Sequence, residues 1–517
     1  MSARATSRPW WTLAAMCFGL FMIMLDNTIV NVALPSIQRS LHTTPETLQW
    51  TIDAYVLTFA VLILLGGKLG DRFGRKRMFL VGLLIFTLAS AACAQATTDT
   101  QLVAFRAVQG VGAALLSPLS LSILVATFPR KQLPTAIGIW AGVSALGLSA
   151  GPLLGGLLVE RVSWSAVFWV NVPVGVVAAA VTVWAVGESR DEQRRHLDLV
   201  GTALVTGGLF ALVYGLIGTS SHAWTSAQTV GLLSGAAVLL ALFVAWERRA
   251  PEPMLPLSFF RNRRFATSAV VTSLVGFAFI GVLFLIVLYF QNVQGYSPLQ
   301  AGIRTLPLTL TQAVVAVNAG RLSKLLGSRV QLTTGMLMLA AGLFGLAQVH
   351  VASPYAQIWP FQVLLGLGMG LAMPAVGATA MTTVSADQSG IASGVINAGR
   401  QVGGALGIAV LGTVAAVLAR SEWQHQLALL PPASHAKAAH LTSLVVGGQG
   451  RVVAAAAGRP AELAGLASFA GGLRGALLVS SALALVAAAI AFAGLRQPRP
   501  AAQAAEVPEA VPTPRAA

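Results

Sequence analysis

Apolar runs recur along the whole sequence, and each is long enough to cross a lipid bilayer as a helix of about 20 residues. Of 517 residues, 56% are hydrophobic and 10% are charged, whereas a soluble chain of this length needs a more polar surface. The runs predict an all-α membrane protein. They predict fourteen spans, at about 10–34, 48–66, 78–96, 100–128, 134–159, 165–187, 199–219, 228–246, 265–290, 298–319, 331–349, 357–385, 390–418 and 471–495.

The net charge of +16 follows from membrane topology rather than from a nucleic-acid partner. If the N-terminus is cytoplasmic, most of the 33 lysines and arginines fall in cytoplasmic segments, as the positive-inside rule requires. We therefore predict a multi-pass protein of the cell inner (cytoplasmic) membrane with both termini in the cytoplasm. Cys17 and Cys93 lie inside apolar runs and are interpreted as packing residues, and no spacing indicates a metal site.

Three segments of the first half recur in order in the second half at nearly one offset. Residues 138–156 align without gaps onto 390–408, residues 105–118 align onto 361–374, and Gly67 and Gly74 fall on Gly320 and Gly327. Chance glycine matches are common in apolar sequence, but three in register indicate a duplication. Duplicated helix sets that rock against each other are typical of alternating-access carriers.

The duplication predicts two pseudo-symmetric six-helix bundles, at 10–187 and 265–495, separated by a two-helix insert at 199–246. A longer external loop is predicted at 419–470 within the second bundle. The Pro/Ala-rich segment 496–517 is predicted to be a disordered cytoplasmic tail.

Two acids fall deep inside predicted spans, Asp26 in the first and Asp53 in the second. Such residues usually face a cavity and bind ions, protons or cationic ligands, and burial favours the protonated form that a reversible carrier needs. We predict that both aspartates serve proton coupling and substrate binding. The greater depth of Asp26 favours it for the proton, and the alternative is that each acid is a structural hydrogen-bond acceptor.

Arg106 lies inside the fourth span and requires a counter-charge or carbonyl partners. Its position in the second half is occupied by the uncharged Gln362. We predict that Arg106 couples protonation to conformation, and the alternative is a fixed structural ion pair. Arg400, in the thirteenth span, is either satisfied by packing or a substrate contact, and the sequence does not decide between them.

Two glycine patterns complete the candidate set. In the cytoplasmic stretch GKLGDRFGRKR, glycines allow a tight turn and charge pairs can latch the cytoplasmic side; the residues are Gly67, Asp71, Arg72, Gly74 and Arg75. In the fifth span, small residues spaced by four allow close helix packing, and a proline adds a kink. This second set comprises Gly138, Gly147, Gly151, Pro152, Gly155 and Gly156. It is interpreted as a hinge and seal, with simple helix packing as the alternative.

These motifs together resemble the major facilitator superfamily, specifically its fourteen-helix drug:proton antiporter branch. The resemblance rests on LDNTIVNVALP at 25–35, the loop motif at 67–77, the fourth-span motif from Arg106 to Gly112, and the antiporter motif from Gly138 to Gly156. It covers roughly residues 10–495. WTIDAYVLTFA at 50–60 is similar to the second helix of multidrug exporters in which an acid at the position of Asp53 is tied to cationic substrates.

The sequence departs from this family pattern in three places. Ser165 stands where relatives often place arginine, and Lys324 replaces the acid of the first loop in its second copy. The predicted helices 9 to 14 contain no membrane-embedded acid, which argues against divalent cationic drugs as substrates.

The resemblance implies proton-driven efflux of small amphipathic drugs or antibiotics by alternating access, with the proton gradient in place of a cofactor. The alternative is a dedicated exporter of a single natural product or metabolite. Uptake by symport is disfavoured by the fifth-span motif. No Gly-x-x-x-x-Gly-Lys-Ser/Thr loop is present for an ATP-driven pump, and the scattered histidines do not indicate an enzyme. We expect a monomer whose partners are a small amphipathic substrate, protons and the lipid bilayer, with no nucleic acid among them.

Overall fold

The computed structural model describes residues 8–129, 132–189, 198–218, 222–251, 253, 255, 257–384, 389–430 and 438–495. Within these residues the regular structure is entirely helical, as predicted. The predicted disordered tail at 496–517 lies outside them.

The helices follow one another with short connections. In chain order they are α1 (Pro9–Leu41), α2 (Pro45–Phe73), α3 (Arg75–Ala94), α4 (Asp99–Thr127), α5 (Leu133–Arg161), α6 (Ala166–Trp169), α7 (Asn171–Ala185), α8 (Leu199–Gly218), α9 (Ala227–Glu247), α10 (Arg263–Leu288), α11 (Pro298–Leu346), α12 (Tyr355–Met381), α13 (Ser389–Ala428), α14 (Ala438–Val446) and α15 (Gly450–Gly494). A π-helical turn, Tyr289–Val293, extends α10.

The predicted count of fourteen spans is not confirmed. Among the described residues, twelve helical segments are long and apolar enough to cross a membrane, and the bent α2 makes a thirteenth. The predicted tenth span, 298–319, lies in the first part of α11, where Arg304, Gln312 and Asn318 make the segment more polar. α11 continues to Leu346 through a break at Gly327, where φ is 73°.

The segment 419–470, predicted as an external loop, is largely helical. It contains the end of α13, all of α14 and the first part of α15. Trp423 is fully buried there against Leu441 and Val445, in a small apolar cluster separate from the main core. Its indole N–H donates to Thr442 Oγ1 at 3.1 Å. The alanines that gave this segment a loop-like composition have the highest helix propensity of any residue.

The duplication is visible in how glycines bring helices together. On α5, a Cβ at Gly155 would lie 2.9 Å from the carbonyl oxygen of Ile29 on α1. On α13, the matching Gly407 lies against the backbone of Phe277 on α10, where a Cβ would overlap the carbonyl oxygen. α5 therefore packs on α1 as α13 packs on α10, backbone to backbone.

The insert helices α8 and α9 pack against each other and contact both halves through α8. Phe210 on α8 lies 5.7 Å, between ring centroids, from Trp50 on α2. Thr413 on α13 donates a hydrogen bond to the Leu216 carbonyl at 3.1 Å. Only 17% of the most apolar stretch of α9 is buried, as expected for a helix that faces lipid.

Candidate transport site

Asp26 and Arg106 form a buried ion pair between α1 and α4. Arg106 Nη1 lies 2.5 Å from Asp26 Oδ2, and the two side chains are 1% and 0% exposed. Arg106 also donates from Nε to the Thr51 carbonyl at 3.0 Å and from Nη1 to Gln109 Oε1 at 2.7 Å. The structure thus places beside Arg106 both a counter-charge and a carbonyl.

The second carboxylate oxygen of Asp26 is held by amides. Asp26 Oδ1 accepts from Gln109 Nε2 at 3.0 Å and from Asn171 Nδ2 at 3.2 Å. Asn171 also donates to Ser90 Oγ at 3.0 Å, and Ser90 donates to the Phe168 carbonyl at 2.9 Å. The network joins α1, α4, α7 and α3, so movement of any of these helices changes the surroundings of Asp26.

Asn171 and Ser90 were not among the residues predicted from the sequence. Both are isolated polar residues in apolar runs and are fully buried, and that isolation was the only available signal. Tyr55 was missed as well: its ring centroid lies 4.2 Å from Arg106 Cζ, close enough for a cation–π interaction. The Arg106 guanidinium thus contacts a carboxylate, an amide, a carbonyl and an aromatic ring, and each contact stabilises its positive charge.

Asp53 is also fully buried, but it does not join this network. Neither of its carboxylate oxygens has a hydrogen-bond partner among the described residues. It lies one helical turn after Gln49 on α2. A Cβ at Gly412 of α13 would overlap the Gln49 amide, so this part of α2 packs against the second half. The two predicted aspartates therefore have contrasting environments.

A narrow cavity lies between the two halves. It is lined by Thr28, Asn31, Val32, Leu148, Pro152, Phe279, Leu283, Val287, Thr305, Thr309 and Gln312, and its volume is about 20 Å³. That volume holds about one water molecule. Above it, Gln291 Nε2 donates to the Val32 carbonyl at 2.8 Å, which ties α10 to α1. The lining includes no ionisable side chain.

The fifth-span residues form two distinct faces of α5. Gly147, Gly151 and Gly155 pack on α1, whereas Gly156 and Pro152 face α11 of the second half. A Cβ at Gly156 would lie 2.6 Å from the Pro298 carbonyl oxygen. At the end of α5, Glu160 Oε2 accepts from Ser297 Oγ at 2.6 Å and from the Leu299 N–H at 3.2 Å. The predicted seal thus coincides with a contact between the halves. Gly138 lies near the start of α5.

The predicted latch forms a local ion pair. Arg75 Nη2 lies 2.8 Å from Asp71 Oδ1, one helical turn away, and Gly74 has a φ of 106° at the break between α2 and α3. Arg72 is exposed and lies over the Phe73 ring, and Gly67 packs near Pro118 of α4. Of the two arginines considered for Asp71, the structure pairs it with Arg75.

Arg400 has no ion-pair partner among the described acids. Its Nη2 donates to Asn397 Oδ1 at 2.9 Å, within the same helix turn.

Comparisons with known proteins agree with this architecture. A sequence model of the Major Facilitator Superfamily matches residues 16–408. The chain is 38% identical over 496 residues to the "Tetracenomycin C resistance and export protein" of Streptomyces glaucescens, which covers 94% of this chain and 91% of that protein. It is 41% identical over 407 residues to "Multidrug resistance protein Stp" of Mycobacterium tuberculosis (strain CDC 1551 / Oshkosh), which covers 78% and 75%. Among solved structures, a bacterial homolog of the human lysosomal transporter Spinster, inward-facing and unoccupied, has a TM-score of 0.65 at 16% identity and covers 95% of this chain and 98% of that one.

Proposed function

The chain belongs to the major facilitator superfamily, and we propose that it exports small amphipathic drugs or antibiotics across the cytoplasmic membrane in exchange for protons. Relatives that cover most of the chain are resistance and export proteins, which supports efflux. The observation that carries proton coupling is the contrast between the paired Asp26 and the unpartnered Asp53 in the same bundle.

Asp53 is the residue at which we place proton uptake. An ionised carboxylate without a partner is costly in an apolar interior, so Asp53 requires either a proton or a cationic group in this conformation. Asp26 already has Arg106 and two amides around it. This assignment replaces the preference for Asp26 that depth alone suggested, because partner geometry discriminates between the two acids more directly than depth.

Asp26 and Arg106 then act as the element that responds to movement. Their network spans four helices. A rotation of α1 or α4 that lengthens the 2.5 Å contact therefore leaves each of the two charges without its counter-charge. Substrate enters between the halves, where the narrow cavity must widen before it admits a drug-sized molecule. We also propose that both termini are cytoplasmic, as the distribution of lysines and arginines predicts. One chain suffices in this proposal, because both halves contribute residues to the cavity.

Transport in inverted vesicles with an imposed pH gradient tests the proposal. Vesicles contain the wild-type protein, Asp53→Asn, Asp26→Asn or the control Asp99→Asn, whose carboxylate lies in the first turn of α4. We expect Asp53→Asn to lose acceleration by the pH gradient while it still equilibrates substrate. Asp26→Asn should lose transport because Arg106 is left without a counter-charge. The control should transport normally.

Gradient-driven transport by Asp53→Asn at the wild-type rate would contradict the assignment of the proton to Asp53. Accumulation in the opposite direction, with substrate moving out of inverted vesicles together with protons, would contradict export itself. Equal rates with and without the gradient in the wild type would exclude proton coupling and leave facilitated diffusion.

A dedicated exporter of one natural product is the second candidate. It is favoured by the relative that aligns over 94% of this chain, since that protein is named for a single compound, tetracenomycin C. A resistance screen in a host that lacks its own pumps separates the two: protection against one chemical scaffold supports the dedicated exporter, and protection against several supports the broad one.

A further inference from the structure

A second cavity, of about 350 Å³, is lined entirely by residues of the second half. It is bounded by the start of α10, the break in α11, the end of α12 and the end of α15. The lining residues are Arg264, Leu326, Gly327, Ser328, Arg329, Val330, Thr379, Thr382 and Leu495. Two of them are arginines and none is an acid. The volume is at the lower end of the range for small-molecule sites.

The break in α11 lies at the wall of this cavity. Gly327 has a φ of 73°, a conformation that glycine adopts without strain, and the helix resumes at residues 328–330, which line the cavity. The first N–H groups of a helical segment lack intrahelical acceptors. Together with the helix dipole they attract anions.

Arg329 is held in place at the cavity wall. Its Nε donates to the Phe492 carbonyl at 2.8 Å, and its Cζ lies 3.8 Å from the centroid of the Phe492 ring. Among the described residues, Nη1 and Nη2 of Arg329 have no hydrogen-bond partner. Arg264, in the first turn of α10, also lines the cavity. Two arginines from different helices therefore border one space.

The first half shows what occupies the equivalent position. Gly74, which the duplication matches to Gly327, also has a positive φ of 106°. There the carboxylate of Glu188, just after α7, accepts from the backbone N–H groups of Lys76 at 3.1 Å and Arg77 at 3.2 Å. In the second half the chain after α15 continues with the apolar Leu495, which lines the cavity. The described part of the second half thus supplies no carboxylate where the first half supplies Glu188.

We propose that this cavity binds a phosphate group, supplied either by the headgroup of an anionic phospholipid or by free phosphate. A phosphate offers the oxygen acceptors that Glu188 offers in the first half and carries the charge that two arginines require. Basic pockets between membrane helices on the cytoplasmic side are suited to such headgroups. The proposal is independent of the transported substrate and of proton coupling.

The test measures thermal stability of the full-length protein in detergent, titrated with dioleoylphosphatidylglycerol, dioleoylphosphatidylcholine or inorganic phosphate. A ligand at free concentration L that binds the folded state stabilises it by RT ln(1 + L/Kd) and so raises the melting temperature as its concentration exceeds Kd. We expect phosphatidylglycerol or phosphate to stabilise the wild type, with an apparent Kd at least about tenfold weaker in Arg264→Gln/Arg329→Gln, which loses two charge-assisted contacts. Arg261→Gln, an exposed arginine of the same basic segment outside the lining, is the matched control.

A second variant adds the missing group. Leu495→Glu introduces a carboxylate where the first half has Glu188, and it should abolish stabilisation by either ligand without loss of the folded protein. Stabilisation by phosphate alone assigns the site to free phosphate; stabilisation by phosphatidylglycerol but not by phosphate or phosphatidylcholine assigns it to the headgroup. No stabilisation by either ligand, an equal loss in Arg261→Gln, or binding that appears only after deletion of 496–517 would overturn the proposal.

Discussion

Replacing Asp26 and Arg106 separately and together tests whether the buried pair acts as one unit. Removal of one partner from a buried ion pair typically costs about 3–5 kcal/mol, because the other charge is left uncompensated. Asp26→Asn leaves Arg106 with only neutral partners: the Thr51 carbonyl, Gln109 and the Tyr55 ring. Arg106→Gln leaves Asp26 with two amide donors. Each single variant should therefore lose about 3–5 kcal/mol of unfolding free energy.

The double variant should lose much less than the sum of the two. With Asn at 26 and Gln at 106 no charge is left uncompensated, and the second half already accommodates glutamine at the matching position as the fully buried Gln362. If the losses were independent, the double variant would lose about 6–10 kcal/mol. We expect a coupling energy of about 3 kcal/mol or more, at the upper end of what contacting residues show.

Equilibrium unfolding in mixed micelles measures these free energies, and a second pair provides the control. Asp71 and Arg75 form an ion pair of similar length, but their side chains are 32% and 22% exposed. Exposed pairs contribute about 0–1 kcal/mol, so their double-mutant cycle should give a small coupling. Additive losses at Asp26 and Arg106, or equal coupling in the two cycles, would refute the conclusion that burial makes the first pair a single unit.

Three further variants test the surfaces of α5. Gly151→Ala places a Cβ 2.8 Å from Thr28 Cβ and should destabilise the protein by about 1–3 kcal/mol through overpacking; Gly142→Ala, with no atom within 4 Å, should be neutral or stabilising by about 0.5–1 kcal/mol. Equal melting temperatures for the two variants would contradict the packing of α5 on α1. Glu160→Ala removes the acceptor that joins the ends of α5 and α11. It should increase labelling by an impermeant maleimide of a cysteine introduced at Thr305, in the cavity between the halves, several-fold over the parent; unchanged labelling would show that this contact does not hold the halves together.

The sequence predicted the backbone contacts better than the charge contacts. A glycine stripe has one structural consequence, close approach of another helix, so the matched offsets of Gly151 and Gly403 anticipated equivalent packing on α1 and α10. Whether Asp26 or Asp53 faces Arg106 depends on the rotation of α1 and α2 about their axes, which apolar runs of nearly uniform hydrophobicity do not specify.

Segments of mixed composition were harder to assign from the sequence. The first part of α11, predicted as the tenth span, is helical but less apolar than the other spans, and Arg304, which lies 3.9 Å from the centroid of the Tyr296 ring, accounts for part of its reduced hydropathy. The helices within 419–470 were missed because alanine and glycine together indicate a linker when no apolar periodicity accompanies them. Their stability comes from contacts such as those of Trp423, which only the folded chain brings together.

A proton on Asp53 can drive the two halves apart only if the surroundings of Asp53 differ between conformations, because a ligand shifts an equilibrium by its differential affinity alone. The position of Asp53 near the boundary between the halves allows this condition to be met. It lies on α2 one turn from Gln49, which contacts Gly412 of α13 across the boundary between the halves. Separation of α2 from α13 would expose this stretch to water, where an ionised carboxylate needs no protein partner. Asp26, whose described partners all belong to the first half, lacks this direct link. If Asp53 carries the proton, as we propose, its release is tied to movement of the second half, and Asp26 must follow through α1 and α4.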